Sequence, residues 1–374
     1  MIYLDSAATT LQKPKSVAVA SARAISTMAS PGRGGHRPAM LAAETAYRCR
    51  EEAAALFHVP DPEQVVFTFN ATHGLNIAVK SLVSPGSRVV ISGYEHNAVT
   101  RPLASIPQIS IRVAQAPLFD AQAMLKAFRK EIEEGADTVI CTHVSNVFGA
   151  ILPIEQIAAL CRERAIPFII DASQSAGVLP LDFEALGADF VAMPGHKGLY
   201  GPQGTGLLLC RSTAAIPVLY GGTGSKSVSW EMPEFLPDRL EAGTHNIPGI
   251  AGLLEGIRYI GQTGTENIRK HESMLICSAA KGLMQIPGMQ VFAAGDQREQ
   301  SGVLSFRVNG VSCEDVGERL SRAGFALRAG LHCAPLAHRT GGTFDTGTVR
   351  ASVSAFTTEA EIRQFVSTAA SLFA

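Results

Sequence analysis

Short apolar, β-branched runs recur along the first two thirds of the chain: Val65–Phe69, Arg88–Ser92, Ser110–Ala114, Thr138–Val144, Pro167–Ala172, Phe190–Met193 and Gly206–Cys210. Several carry no polar alternation, as in Pro167-Phe-Ile-Ile before Asp171. That is the pattern of a strand covered on both faces. Between the runs, amphipathic periodicity predicts helices over Ala121–Glu134 and Ile154–Arg164. Strand alternating with helix predicts an α/β layered domain around a mostly parallel sheet. After Asn246 the pattern changes. Long helices are predicted over Pro248–Thr263 and Thr265–Gln285. A strand at Gly302–Val308, a helix near Cys313–Arg322, strands near Ala326–Arg328 and at Thr348–Ser352, and a last helix over Thr358–Leu372 follow. This α+β composition predicts a second, smaller domain. The first dozen residues show no strand–helix unit and are expected to pack at the domain interface.

Composition narrows the class. A chain of 374 residues suggests two or three domains. With 46% hydrophobic and 17% charged residues it is too apolar for a disordered chain. The formal net charge of −1 leaves no electrostatic footprint for nucleic acid or an anionic membrane. No apolar stretch approaches the ~20 residues of a membrane span, and the N-terminus lacks the basic-then-apolar pattern of a secretory signal. The seven cysteines contain no C-x-x-C pair. A disulfide framework or a metal site is therefore not expected, and a cytoplasmic, reducing setting is.

Five segments carry candidate chemistry, each with a plainer alternative. Asp171, in Asp-Ala-Ser-Gln174, ends an apolar strand, where ligands of open α/β sheets bind, but an acid there also caps helices. His196-Lys197 sits in a glycine-dense loop after another apolar strand. Glycines let a ligand approach the backbone, and an enclosed lysine can form a Schiff base; most loop lysines are simply solvated. Thr72-His73-Gly74 follows a strand and opens a helix, as a phosphate site or an ordinary cap would. His96, in Tyr-Glu-His-Asn97, ends a fourth strand. Cys333 lies in a glycine-containing loop beside His332, with Arg328 and Arg350 near in sequence. Positive surroundings favour the nucleophilic thiolate, whereas the other six cysteines fall in or near apolar periodic stretches. Taken together, the set describes a pyridoxal-phosphate site. A lysine takes the aldehyde, an acid protonates the ring nitrogen, polar groups hold the phosphate, and a histidine stacks.

In these residues the chain resembles the class V aminotransferase family of pyridoxal-phosphate enzymes, and within it the cysteine desulfurases. The resemblance rests on Tyr3-Leu-Asp-Ser-Ala-Ala-Thr-Thr, Glu95-His96, His143-Val-Ser-Asn146, Asp171-Ala-Ser-Gln174-Ser-Ala-Gly, Gly195-His-Lys197-Gly-Leu-Tyr-Gly-Pro-Gln-Gly-Thr-Gly, Glu241-Ala-Gly-Thr244, Arg328-Ala-Gly-Leu-His-Cys333-Ala and Val349-Arg350-Ala-Ser. It implies the fold type I plan, α/β, with a seven-stranded mostly parallel sheet between helices in a large domain (14–248). Residues 1–13 and 249–374 would form the small domain that carries the cysteine loop. It also implies roles. Lys197 would bind pyridoxal 5'-phosphate as a Schiff base, Asp171 would pair with the ring nitrogen, Gln174 with the ring hydroxyl, and His96 would stack. Thr72, His73 and His196 would hold the phosphate, with Thr244 supplied by the second subunit of a homodimer. Asn146, Arg328 and Arg350 would bind substrate, and Cys333 would become a persulfide. L-cysteine would be converted to L-alanine, the sulfur passing to an acceptor protein and into iron–sulfur cluster assembly.

The seventeen residues from Cys333 to Arg350 and the Arg-x-Gly-x-His-Cys motif resemble the short-loop, Suf-type group. Arg33 and His36 resemble residues at the mouth of that group's site. Two positions depart from the family. Pro194 stands where relatives often have a phosphate-binding serine, and His73 where a glutamate is common. Selenocysteine lyase activity stays open on this pattern. An aminotransferase or epimerase would not need Cys333.

Overall fold

A computed structural model describes residues 1–32 and 34–374; Arg33 lies outside the described residues. Among the described residues thirteen strands follow one another, from β1 (Ile2–Tyr3) through β2 (Val65–Thr68), β3 (Arg88–Ser92), β4 (Ser110–Ala114), β5 (Thr138–Thr142), β6 (Phe168–Asp171), β7 (Phe190–Pro194) and β8 (Gly206–Cys210). They continue with β9 (Met289–Phe292), β10 (Val303–Val308), β11 (Phe325–Ala326), β12 (Arg328–Gly330) and β13 (Thr348–Ser352). Strands β2 to β8 form one seven-stranded sheet in the order β2-β8-β7-β6-β5-β3-β4. Only β8 runs antiparallel to its neighbours β2 and β7. Every residue of β2, β5, β6, β7 and β8 is buried, because helices cover both faces. The all-apolar runs therefore mark the sheet as expected.

Four strands in the order β12-β13-β10-β9 make an antiparallel second sheet. Its own apolar cluster lies between this sheet and the helices Thr265–Leu283, Cys313–Arg322 and Glu359–Phe373. The single strand expected near Ala326–Arg328 is two short ones with different partners. β12 joins β13, while β11 pairs in parallel with β1 at the start of the chain. The first dozen residues thus do contain a strand. It is two residues long, and its partner lies more than three hundred positions away, so no local periodicity marks it.

The helices Lys15–Thr27 and Arg37–Phe57 are not foreshadowed by the apolar pattern. The first buries only Val17 and Ala24, and the second packs mainly through alanines, so neither has a strong apolar stripe. Both pack on the helix Ile247–Thr263. Two close approaches shape the site. Gly206 lies where a Cβ would come within 2.9 Å of the Asn70 backbone, so β8 can pass beneath the start of the helix Ala71–Leu82. Gly177, with φ +80°, and Gly198 cross so tightly that a Cβ on either would strike a backbone carbonyl of the other segment. This crossing fixes the loop just after Lys197.

Candidate active site

One cavity of about 490 Å3 opens beyond the carboxyl ends of the central strands. Its walls include Thr72, His96, Asn146, Asp171, Gln174, His196 and Lys197. Topology brings them together. Asp171 ends β6 in register with Ala192 of β7, and Lys197 follows five residues later in the next turn. Thr72 stands in the first turn of the helix after β2, and His96 caps the helix after β3.

Each side chain is held by named contacts. Asp171 is buried and accepts the Ser173 amide on Oδ1 at 2.9 Å. His96 Nδ1 accepts the Ala98 amide at 3.0 Å, which places the ring proton on Nε2. Burial lowers the His96 pKa further. His196 contacts the Thr9 hydroxyl at 3.0 Å, and burial followed by the neighbouring Lys197 cation pulls its pKa down to about 4. Both imidazoles are therefore neutral at neutral pH. The Gln174 amide donates to the Ala7 carbonyl at 3.0 Å, and Thr10 binds the His196 carbonyl through its amide and hydroxyl. The N-terminal segment thus braces the lysine loop from below.

Lys197 Nζ makes no hydrogen bond or ion pair among the described residues. Desolvation pulls its amine down to about 8, partly opposed by Asp171. An unpartnered amine of lowered pKa, facing a carboxylate and neutral imidazoles in one cavity, suits an aldehyde cofactor. These residues fit pyridoxal phosphate. The helix N-terminus at Thr72, where Asn70 already caps the His73 amide, adds a place for its phosphate.

Cys333 reaches the same region from the small sheet. It is exposed and lines an outer cavity of about 800 Å3, whose wall shares Thr72 and His96 with the inner one. His332 and Cys333 both adopt left-handed backbone, with φ 50° and 55°. That costs non-glycine residues energy, so outside contacts must hold the loop. The Cys333 carbonyl accepts the Asn97 amide at 2.8 Å, and the His332 carbonyl accepts the Asn146 side chain at 2.8 Å. Arg350 is buried on β13, donating to the Asn146 carbonyl at 2.9 Å and to Asp5 Oδ1 at 3.0 Å.

Arg350 is buried and does not line the inner cavity, and three more expected residues stand elsewhere. The His73 ring stacks on Phe69 with centroids 4.8 Å apart, outside the cavity, because its amide is tied to the Asn70 cap. Arg328 is half exposed and pairs with Asp5 instead of lining the cavity. Thr244 is exposed on a separate surface cavity of about 1390 Å3. Its segment is pinned by buried Glu241, which binds Arg50 at 2.8 and 2.6 Å and accepts the Phe67 amide at 2.6 Å. His36 caps the helix Arg37–Phe57. Pro194 does line the inner cavity and brings no hydroxyl to it.

Two contributors were not singled out from sequence. Asp5 lies within a motif that marked the family but had no role attached. Glu95 is fully buried beneath His96. It accepts the Ser92 hydroxyl at 2.5 Å and the Thr142 amide at 2.7 Å, and burial pushes its carboxyl up to about 8. Like Asp5, it lies within a motif that marked the family but had no role attached.

The sheet order and the lysine-bearing turn define a chain built on the fold type I transferase plan. It belongs to the aminotransferase class-V family, whose model matches residues 2–365. A protein of Methanothermobacter thermautotrophicus described as a "Probable cysteine desulfurase" is 32% identical, over 97% of this chain and 92% of its own. The apo cysteine desulfurase of Thermococcus onnurineus superposes with TM-score 0.92 at 31% identity, covering 100% of this chain and 94% of that one. The Escherichia coli cysteine desulfurase CsdA, in an S-sulfonic acid form, gives TM-score 0.87 at 27% identity, with 100% and 95% covered.

Proposed function

We propose that this protein is a pyridoxal-phosphate-dependent cysteine desulfurase that leaves the substrate's sulfur on Cys333. The observation that carries the reading is the shared wall of the two cavities. Thr72 and His96 border both the chamber of Lys197 and Asp171 and the outer space lined by Cys333. An aminotransferase needs the first chamber and has no use for a thiol at its mouth.

Lys197, Asp171, Gln174, His96, Thr72 and His196 would hold the cofactor, which when bound supplies an electron sink for bond breaking at the substrate's α-carbon. The Asp171 carboxylate stands ready to keep a ring nitrogen protonated. Lys197 Nζ, with its pKa near 8, can take up and return a proton close to neutral pH. Arg350 would offer its guanidinium fork to the α-carboxylate, and Asn146 keeps Oδ1 without a partner among the described residues. At Cys333 the thiolate forms an S–S bond to the substrate's sulfur while the C–S bond breaks, giving alanine and Cys333–S–SH. A thiol acceptor then removes the outer sulfur by exchange. An acceptor protein is proposed, because the short loop gives Cys333 little reach of its own. Delivery into iron–sulfur assembly and a cytoplasmic setting belong to the same proposal; no helix among the described residues is long and apolar enough to cross a membrane.

A two-fold dimer completes the reading. Thr244, anchored through Glu241 yet exposed, would serve a partner's phosphate site. A monomeric mass at full activity would remove this part.

The deciding experiment incubates the holoenzyme with L-cysteine and a thiol and measures alanine, sulfide and pyruvate separately. Alanine with sulfide, and a sulfur adduct on Cys333 by mass spectrometry, is expected. Pyruvate as the main product, or an adduct on another cysteine only, overturns the reading. L-selenocysteine in a parallel arm ranks the two substrates.

A further inference from the structure

Arg328 on β12 stands directly opposite Arg350 on β13. Two guanidiniums in register repel and would turn apart unless something joined them. Asp5 joins them. Its Oδ1 accepts from Nη2 of Arg350 at 3.0 Å, and its Oδ2 accepts from Nη2 and Nε of Arg328 at 3.0 and 3.2 Å. The carboxylate cannot drift from this place. Asp5 forms a parallel bridge with Ser352, the Ser352 amide donates to the Leu4 carbonyl at 2.8 Å, and the Ala7 amide donates to the Ser352 hydroxyl at 2.8 Å. Asp5 is thus stitched to the end of the strand that carries Arg350.

The geometry leaves Arg350 partly unused. Its Nη1 is on the Asn146 carbonyl, its Nη2 on Asp5, and its buried Nε has no partner among the described residues. A guanidinium has more N–H donors than these two contacts consume, so an incoming carboxylate can be gripped without displacing Asp5. Charge points the same way. Two cations and one anion leave one net positive charge, matched to one carboxylate.

We infer that Asp5 is a positioning residue for the substrate's α-carboxylate, acting through Arg350. It fixes the guanidinium's orientation and screens it from Arg328, which in turn acts through Asp5 and does not touch substrate. This rests on the desulfurase reading given above.

The test is spectrophotometric titration of the holoenzyme with L-alanine and with L-alaninamide, which is nearly isosteric but lacks the negative charge. Asp5→Asn should weaken L-alanine binding about tenfold, leave L-alaninamide unchanged, and keep the visible spectrum of the unliganded enzyme. Arg328→Gln should weaken L-alanine in the same direction by about threefold. Equal losses for both ligands would mean general disruption and overturn the inference. Tighter L-alanine binding by Asp5→Asn would make Asp5 a competitor and also overturn it. If Asp5→Asn does not fold, the half-exposed Arg328→Gln decides: an unchanged ratio of the two affinities sinks the idea. A wild-type enzyme whose spectrum answers neither ligand instead removes the cofactor reading beneath it.

Discussion

Lys197 and Cys333 meet at neighbouring cavities on supports of opposite kind. Lys197 follows a buried central strand, in a turn locked by the Gly177–Gly198 crossing and by Thr10 on the His196 carbonyl. Cys333 sits on an exposed loop of the small sheet, in left-handed backbone, tied down by two bonds from Asn97 and Asn146, which follow strands of the large sheet. The first support suits a group that must keep its geometry against a rigid ring. The second suits a nucleophile that must reach a substrate's sulfur and then present it outward. Rigidity and access are divided between the two sheets, and the N-terminal segment from Asp5 to Thr10 contacts both sides.

The largest effect should come from breaking the rigid side. Lys197→Ala is expected to lower turnover on the order of 10⁴-fold and abolish the cofactor's visible band, with thermal unfolding little changed. Retained turnover in that variant would place the chemistry elsewhere. On the exposed side, Cys333→Ala should keep the band and its response to L-cysteine but lose at least about 100-fold in alanine formation, with no sulfur adduct. If the two variants behave alike, the division between supports is wrong.

A smaller effect sharpens the view of Lys197. Only a neutral amine attacks an aldehyde. With its pKa lowered to about 8, about one amine in ten is neutral at pH 7, against a few in ten thousand for an ordinary lysine. The rate at which apoenzyme takes up pyridoxal phosphate should rise about fivefold from pH 7 to 8 and level off above 9. A steady climb toward pH 10 would show an ordinary lysine.

The smallest effect concerns the foundation under His96. Burial first, moderated by the Ser92 and Thr142 hydrogen bonds, raises the Glu95 carboxyl to about 8, so it is protonated in the fold at neutral pH. Glu95→Gln, which is neutral in the folded and the unfolded chain alike, should therefore be no less stable than wild type at pH 7. For wild type, a raised carboxyl means stability present at low pH and lost as pH rises through about 8. Denaturant titrations at pH 7 and 9 should show a smaller alkaline loss in Glu95→Gln than in wild type. Equal losses would assign that dependence to other groups.

The large sheet was legible because burial on both faces leaves a mark that needs only local sequence. All seven of its strands were found within a few residues, and the turns after β2, β3, β6 and β7 carried the polar groups that line the cavity. Helices packed through alanine left no such mark, nor did the two-residue strand at Ile2–Tyr3. Motif and residue type by themselves determined that a lysine, an aspartate, two histidines and a cysteine were worth placing in one site. Only the tertiary structure decided that the His73 ring turns to Phe69, that Arg328 faces Asp5, and that Thr244 stands apart from the cavity. The reason is range. Periodicity and capping act over a few residues, whereas the place of Arg328 depends on a pairing with Asp5 across 323 positions, and the His73 ring, though near Phe69 in sequence, takes an orientation that periodicity does not specify. No local pattern encodes which distant partner a charged side chain will meet.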